Sequence, residues 1–412
     1  MKVLKGSRLL LLIAAFAMIV AACGDDDAAT TTTDAPVTTD APVTTDAPVT
    51  TDAPVTTDAP VTTDAPMAPI PDHCLEIVGA ADVVADGSGV NVGMTFDLLG
   101  RGDNSFNDAA ACGLDTAVFY TGVSFTEITP TDESARATDL QLQAENSALV
   151  IGNGFSFEGA FPDVCENNPD VNFAITDSGM LNFGADPVGP YCDNTRGMVF
   201  AEHEGSFLVG VAAAMTSTTG KVGFIGGVSG IGLIERFEAG YEAGVWSVDP
   251  TIEIVSEYVT EFPDFAGFAS PDRGREIGSA MYDEGADVIY SAAGLTGSGT
   301  HLAAKDASEA TGTQMWSIGV DSDEYQTQDE AVREYILTSM LKRVDTAVFN
   351  AIIDHLNGTF TAGPTEYNLA SGGVGYSQSG GFLSADAIAA IDAAEADIVS
   401  GAIVVPSVPA EG

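Results

Sequence analysis

From about residue 90 onward, short runs of β-branched and apolar residues alternate with longer segments of helical periodicity. Residues 90–96, 171–176 and 316–320 are three of the apolar runs, and helical patterns follow at 107–120 and 233–245. Continuously apolar strands separated by helices are typical of parallel sheets with helices on both faces. Because about 320 residues of this pattern exceed one ordinary core, we predict an α/β protein with two domains.

Polar residues follow several of these predicted strands. Asp97, Asp177 and Asp321 each come after an apolar run, and the loop 292–297 follows another. A carboxylate in such a place is often only the N-cap of the next helix. However, the carboxyl ends of parallel strands are where ligands bind in α/β proteins. Four such ends, drawn from both halves of the chain, therefore predict a shared ligand cleft.

The first 66 residues have a different composition from the rest. Three basic residues precede a short apolar run at 9–20, and small residues then lead to Cys23. This order is typical of a secretory signal, which we assign to residues 1–22. The small residues before Cys23 resemble a bacterial lipobox, so we expect the mature protein to carry lipid on Cys23.

Residues 23–69 are expected to form a disordered linker rich in Thr, Pro and Asp. The hexapeptide Asp-Ala-Pro-Val-Thr-Thr repeats without change from Asp34 to Thr63. Such a segment cannot bury enough apolar surface to offset its ordering entropy, and regular proline favours an extended spacer. A segment rich in Thr and Pro is also typical of O-glycosylated stalks. We therefore expect the folded part to be held by lipid on the extracytoplasmic face of the cell membrane.

Charge and missing motifs exclude several functions. The chain has 60 acidic and 14 basic residues, and no basic cluster that could bind phosphates, so we expect no nucleic-acid partner. There is no nucleophile elbow, no Walker loop, no His-Glu-x-x-His and no intact Gly-x-Gly-x-x-Gly. We therefore expect a protein that is not an enzyme and that uses no cofactor or metal.

Four cysteines remain in the exported part of the chain: Cys74, Cys112, Cys165 and Cys192. An even number in an exported protein favours disulfides, with three possible pairings. We favour Cys74–Cys112 and Cys165–Cys192, since each joins near neighbours in sequence. A zinc site is the alternative, but the chain has no Cys-x-x-Cys pair and only four scattered histidines.

The segment after the first predicted strand combines glycines, short polar side chains and one aromatic. It reads Gly102-Asp103-Asn104-Ser105-Phe106-Asn107 and precedes a predicted helix. A helix N-terminus has unpaired N–H groups, and Phe106 would add a flat apolar face. Helix capping plus a buried Phe is the alternative interpretation.

This segment resembles a signature of the basic membrane protein (BMP) family, whose members are lipoprotein solute receptors of ABC importers. The likeness continues in the same order at seven further segments: 173–177, 204–210, 221–227, 236–240, 292–294, 318–323 and 338–345. The resemblance implies a type I periplasmic-binding-protein fold, in which two Rossmann-like lobes close over a solute. It also implies an ABC permease as partner, and we expect a monomer.

The resemblance also implies domain boundaries. The first lobe would hold residues 70–199 and 322–356, and the second 200–321 and 357–412. The chain would cross between lobes near Phe200, Asp321 and Asn357.

In PnrA-like members of the family a purine nucleoside lies between two aromatic side chains. The matching positions here are Phe106 and Phe262, with Phe265 as an alternative to the latter. The remaining positions fall into three groups by implied role. The base edge would be met by Asp103, Asn104 and Asn107, the ribose by Asp321 and Lys342, and the cleft would be lined by Asp177 and Gly294.

Two departures from the family pattern leave the ligand open. Asn104 stands where the family usually has Lys, and Leu295 where it often has Gly. Lys342 could also be an ordinary surface lysine beside Arg343. The alternatives to a purine nucleoside are riboflavin, another heteroaromatic or a sugar. A receptor that presents its ligand to a signalling partner is a further alternative.

Overall fold

The computed structural model describes residues 69–185 and 187–410. The predicted signal peptide, the lipidation site Cys23 and the repeats lie outside the described residues. Within the described part, the chain forms two lobes, each built on a six-stranded sheet. No helix in these two ranges is both long enough and apolar enough to cross a bilayer.

The secondary structure largely follows the apolar pattern. The strands in chain order are β1 Asn91–Thr95, β2 Ser124–Ile128, β3 Leu149–Gly152, β4 Asn172–Thr176, β5 Leu181–Asn182, β6 Gly189–Pro190, β7 Thr195–Phe200, β8 Lys221–Ser229, β9 Glu253–Glu261, β10 Val288–Ala292, β11 Trp316–Asp321, β12 Ile336–Lys342, β13 Gly363–Tyr367 and β14 Val374–Tyr376. The α-helices are α1 Phe106–Thr121, α2 Arg136–Ala144, α3 Phe161–Asn167, α4 Glu202–Thr216, α5 Gly232–Val248, α6 Pro271–Asp283, α7 Gly297–Thr311, α8 Glu324–Thr327, α9 Glu330–Arg333, α10 Val344–Asn357 and α11 Ala385–Val399.

The first lobe has a wholly parallel sheet in the order β13-β7-β4-β3-β1-β2. Its central strand β3 is buried at every position, as expected for a strand covered on both faces. Helix α10 returns to this lobe and packs on α1. A Cβ at Gly113 would lie 2.2 Å from the backbone oxygen of Asp345, so only glycine allows this close helix contact.

The second lobe has its sheet in the order β14-β12-β11-β10-β8-β9. All pairs are parallel except β12 with β14. Helices α4 and α5 pack closely together beside this sheet, and α6 packs on α7. The prediction of an α/β protein with two parallel-sheet lobes is confirmed.

The chain passes between the lobes at three places, after β7, after β12 and after β13. The first lies near Phe200, as expected, but the expected crossings near Asp321 and Asn357 are wrong. Strand β12 continues the second sheet, so residues 322–342 belong to the second lobe and the chain returns at Arg343. Strand β13 adds to the first sheet beside β7, so residues 357–367 belong to the first lobe.

Two disulfides are present in the described residues. Cys74 is joined to Cys112 of α1, with Cα atoms 5.5 Å apart, and Cys165 of α3 to Cys192, at 6.2 Å. The first connects the segment before β1 to the first lobe. The second connects α3 to the segment that leads from the β5–β6 ribbon into β7. His73 lies close to Cys74 and Cys112, but the sulfur atoms of these two cysteines are bonded to each other in the disulfide.

Candidate functional site

A cavity of about 470 Å³ lies between the lobes, at the carboxyl ends of strands from both sheets. The polar residues that line it and follow or end a strand are Asp97, Asp177, Asp321 and Lys342. Most of the remaining wall is apolar or aromatic. A largely apolar cleft with a few convergent polar groups is the usual form of a small-molecule site.

Lys342 ties the two lobes together at one end of this cavity. It ends β12 in the second lobe and is 3% exposed. Its Nζ atom lies 3.0 Å from Oδ2 of Asp177, in the first lobe, and 3.3 Å from Oδ1 of Asp321, in the second. We call these three residues the Lys342 cluster. A buried ammonium is stable only when carboxylates of this kind surround it.

The two carboxylates of the Lys342 cluster are held in unusual backbone conformations. Asp177 has φ of 62° and Asp321 has φ of 66°, in the left-handed region that non-glycine residues rarely adopt. Such strain is found where the surrounding structure fixes a side chain for function. Here it turns both carboxylates toward one cation from opposite lobes.

Burial and charge set the protonation of these groups. Burial alone would lower the pKa of Lys342, but the charges of Asp177 and Asp321 raise it above its ordinary value. Burial raises the pKa of Asp177, against the opposing effect of Lys342. Burial also raises the pKa of Glu202 to about 8, so this carboxyl is mostly protonated at neutral pH. Glu202 therefore adds little negative charge beside the Lys342 cluster.

One oxygen of each carboxylate is free of hydrogen bonds. Within the described residues, Oδ1 of Asp177 and Oδ1 of Asp321 are buried and accept no hydrogen bond, although the latter is ion-paired with Lys342. Buried polar atoms without partners are costly and uncommon in folded proteins. These two oxygens can therefore accept hydrogen bonds from hydroxyl groups of a ligand.

Phe106 lies beside the Lys342 cluster and lines the cavity. It begins α1, and its ring centre is 4.6 Å from the Nζ atom of Lys342. From the second lobe, Phe265 and Phe268 line the same cavity, and both rings approach Phe155 of the first lobe, at centroid distances of 5.9 and 6.4 Å. The cavity is thus bounded by aromatic side chains from both lobes.

The structure places the expected second aromatic differently. Phe262 is 56% exposed and does not line the cavity, whereas Phe265, named as the alternative, does. The two rings meet edge to face at 5.9 Å. The 3-10 turn Phe265–Phe268 folds back under the end of β9 and brings Phe265 inward.

The residues expected at the base edge have distinct positions. The carboxylate of Asp103 accepts hydrogen bonds from the backbone N–H groups of Ser105, Asn107 and Asp108, at 3.0, 2.8 and 3.1 Å. It therefore caps α1, and burial raises its pKa to about 7 despite these bonds. Asn104 does not line the cavity, and its carbonyl accepts a bond of 2.7 Å from Thr327 of the second lobe.

Asn107 and Gly294 line the cavity, as does Asp103. The Oδ1 atom of Asn107 accepts from the backbone N–H of Asp97 at 3.2 Å and from Nδ2 of Asn153 at 3.0 Å. No hydrogen bond is formed by Nδ2 of Asn107 within the described ranges, so this amide can donate to a ligand. Gly294, with φ of 56°, begins the turn after β10.

Sequence reasoning missed Arg136, Glu133 and Phe155, which also line the cavity. Arg136 is one of 14 basic residues in a chain with 60 acidic ones. Because basic residues are so few, each one is a candidate for a specific role, and this signal could have indicated Arg136 as it did Lys342. Phe155 follows the buried strand β3, in a segment without polar residues of recognisable function.

Comparisons with known proteins agree with this architecture. A family model described as ABC transporter substrate-binding protein PnrA-like matches residues 90–408. The ABC transporter nucleoside-binding protein BmpA of Lactococcus lactis is 33% identical, over 79% of this chain and 89% of that protein. Basic membrane protein A of Borreliella burgdorferi is 32% identical, over 76% and 85%. A solved ABC transporter solute-binding protein of Aeropyrum pernix K1 has a TM-score of 0.65 and 29% identity, over 77% of this chain and 94% of that one.

Proposed function

Because this chain belongs to the PnrA-like family of ABC transporter substrate-binding proteins, we propose that its ligand is a purine nucleoside, bound in the cavity between the lobes. Family membership confirms the resemblance seen in the sequence and the expectation that the protein is not an enzyme. The fold is that of type I periplasmic binding proteins. The identity of the ligand goes beyond family membership, and the following observations support a purine nucleoside.

The Lys342 cluster carries the proposal. It offers two carboxylate oxygens that accept no hydrogen bond within the described residues, one from each lobe, and one ammonium group beside them. Adjacent hydroxyls of a ribose can donate to the carboxylates, while a ribose oxygen accepts from the ammonium. Since the partners come from both lobes, the ligand would stabilise the closed arrangement.

Phe106 and Phe265 supply the complementary apolar part of the site. Stacking of a base on an aromatic side chain contributes about 1–3 kcal/mol. A ring held near Phe106 would place its sugar toward Lys342, 4.6 Å from that ring. The nucleoside-binding relative from Lactococcus lactis supports the same ligand class.

The charges around the cavity favour an uncharged sugar over a phosphate. The Lys342 cluster has two acidic side chains and one basic one. Elsewhere in the cavity wall, Asp97 and Glu133 likewise give two acidic side chains beside the one basic side chain of Arg136. A phosphate group would be repelled by both groups of residues. We therefore expect nucleosides to bind more tightly than their 5′-monophosphates.

The proposal extends to the predicted location. The mature protein would be anchored by lipid at Cys23, act as a monomer on the outer face of the membrane and deliver its ligand to an ABC permease. Globomycin, which blocks lipoprotein signal cleavage, should cause the uncleaved precursor to accumulate. A Cys23→Ser variant that is still labelled with lipid would contradict the anchor.

A thermal-shift and calorimetric screen tests the ligand. We expect inosine, guanosine or adenosine to raise the melting temperature, because a ligand that binds only the folded state stabilises it by RT ln(1 + [L]/Kd). Riboflavin and neutral sugars should have little effect. A shift with riboflavin and none with any purine nucleoside would contradict the proposal and favour the flavin alternative.

A further inference from the structure

A second charged group lines the cavity on the side of the first lobe. Arg136 begins α2 and is 3% exposed, and it is held by Asp97 and Glu133, which also line the cavity. We call these three residues the Arg136 cluster. Of its members, only Asp97 was expected near the ligand, as a residue at a strand end, whereas Arg136 and Glu133 were not expected there.

A count of donors shows that the guanidinium is incompletely paired. Nε of Arg136 donates to Oε2 of Glu133 at 2.8 Å. Nη2 donates to Oδ1 of Asp97 at 2.7 Å and to Oε1 of Glu133 at 3.0 Å. Nη1 is buried and has no partner within the described residues. A guanidinium has five N–H donors, so the two on Nη1 are free.

The nearby acceptors are more fully used. Oδ1 of Asp97 accepts from Arg136 and from the backbone N–H of Leu98, and Oδ2 accepts from the hydroxyl of Ser156 at 3.0 Å. The plane of the guanidinium is fixed by its carboxylate partners and by the ring of Phe157, 4.6 Å below it. Each carboxylate oxygen of the Arg136 cluster thus accepts at least one hydrogen bond, whereas Nη1 of Arg136 is the atom of the cluster that has none within the described residues.

We propose that Arg136 selects nucleosides whose ring edge carries acceptors, namely 6-oxopurines, over 6-aminopurines. The inference rests on the proposed function. The O6 and N7 atoms of a 6-oxopurine are both acceptors and pair well with arginine. A 6-aminopurine has a donor in the place of O6, and this amino group would face the free N–H groups of Nη1. Leaving those donors unpaired in the complex costs affinity.

Isothermal titration calorimetry with inosine, adenosine and purine riboside, on the full-length protein in detergent, tests the inference. Purine riboside has no substituent at the 6-position, so it isolates the contribution of the oxygen. We expect the wild type to bind inosine about tenfold or more tightly than either of the others. In Arg136→Gln and in Arg136→Lys this preference should fall to within about threefold, through a loss of inosine affinity alone.

Arg196 provides a matched control in the same lobe. It is also 3% exposed, is paired with Asp354 at 2.7 Å and lies 4.4 Å over the ring of Phe360, but it does not line the cavity. Arg196→Gln should keep the preference for inosine. Circular dichroism and thermal melting verify folding, and Arg136→Lys serves if Arg136→Gln does not fold.

The outcomes separate this inference from the proposed function. A wild type that binds the three nucleosides equally would overturn the inference and leave the nucleoside receptor intact. The same holds if the Arg136 variants keep the preference, or lose affinity for all three ligands to the same extent. A wild type that binds none of the three would contradict the proposed function, and the inference with it.

Discussion

Replacing Lys342 by methionine should strongly destabilise the protein at neutral and alkaline pH. Methionine preserves most of the side-chain volume but removes the only ammonium in the Lys342 cluster. Asp177 and Asp321 would then be left buried, on opposing lobes, without a cation. Removing one partner of a buried ion pair is far more harmful than removing a surface charge, because the remaining charge has lost its hydration as well as its partner.

The distances give the size of the effect. At an effective dielectric constant of about 20, charges 3.0 and 3.3 Å apart attract by about 5 kcal/mol for each pair. The desolvation of the buried ammonium, several kcal/mol, offsets part of this sum. A net loss of about 3–5 kcal/mol is therefore expected, which is a large share of the stability of an ordinary domain.

The loss should depend on pH in a defined direction. Without Lys342, the carboxylates left in this buried site have lost their counterion, and burial already raises the pKa of Asp177 above its value in the unfolded chain. A carboxyl group whose pKa is raised on folding favours the folded state at low pH and loses that contribution as the pH rises. The deficit of Lys342→Met relative to wild type should therefore be larger at pH 8 than at pH 5.

Urea denaturation followed by circular dichroism at the two pH values measures both quantities. Lys305→Met is the matched control, because Lys305 pairs with Glu309 at 2.7 Å on the surface of α7, where solvent screens the interaction. If Lys342→Met were as stable as Lys305→Met at pH 8, or equally destabilised at both pH values, the assignment of a buried charge cluster would be refuted.

Three further predictions follow from other parts of the structure. Phe106→Ala should weaken nucleoside binding by about 1–3 kcal/mol in calorimetry, whereas Phe262→Ala should have little effect, because Phe262 does not line the cavity. Equal losses of affinity in the two variants would contradict the stacking role of Phe106. Burial raises the pKa of Glu202 to about 8, so ionisation of this carboxyl lowers the stability of the folded protein as the pH rises from about 4.5 to 8. The stability of Glu202→Gln relative to wild type should therefore increase across that pH window in urea titrations. A difference that stays constant with pH would refute this. Replacing both Cys74 and Cys112, which are 38 residues apart, by serine should cost about 4 kcal/mol by chain entropy, and an unchanged melting curve would contradict it.

The strands that sequence reasoning identified are those with continuous apolar runs. β4 and β11, predicted at 171–176 and 316–320, are buried at every position after the first, so their composition alone distinguishes them from loops. β13 lies at the edge of its sheet, with Pro364 and Glu366 exposed, and carries no such signal. β12 includes the buried polar residues Thr338 and Ser339, so it lacks the continuous apolar run by which strands were predicted. Both boundary errors between the lobes come from these two strands.

The candidate site was predictable only in part for a similar reason. Motif resemblance brought Phe106, Asp177 and Lys342 into the expected cleft, where the structure also has them. It did not show that Asp103, which lines the cavity, also caps α1 through the backbone N–H groups of Asn107 and Asp108. It did not include Arg136, since no motif contains it.

The sequence by itself determined the elements and their order, because β-branched runs, helical periodicity and turn residues act over a few neighbouring positions. It also determined the class of ligand-binding protein, through motifs that recur in the family. Only the tertiary structure decided which strand ends meet. Asp177 and Lys342 are 165 residues apart, and they pair because two sheets from different parts of the chain place their carboxyl ends at one cleft. That juxtaposition depends on long-range packing, and it creates the buried charges on which the proposed binding rests.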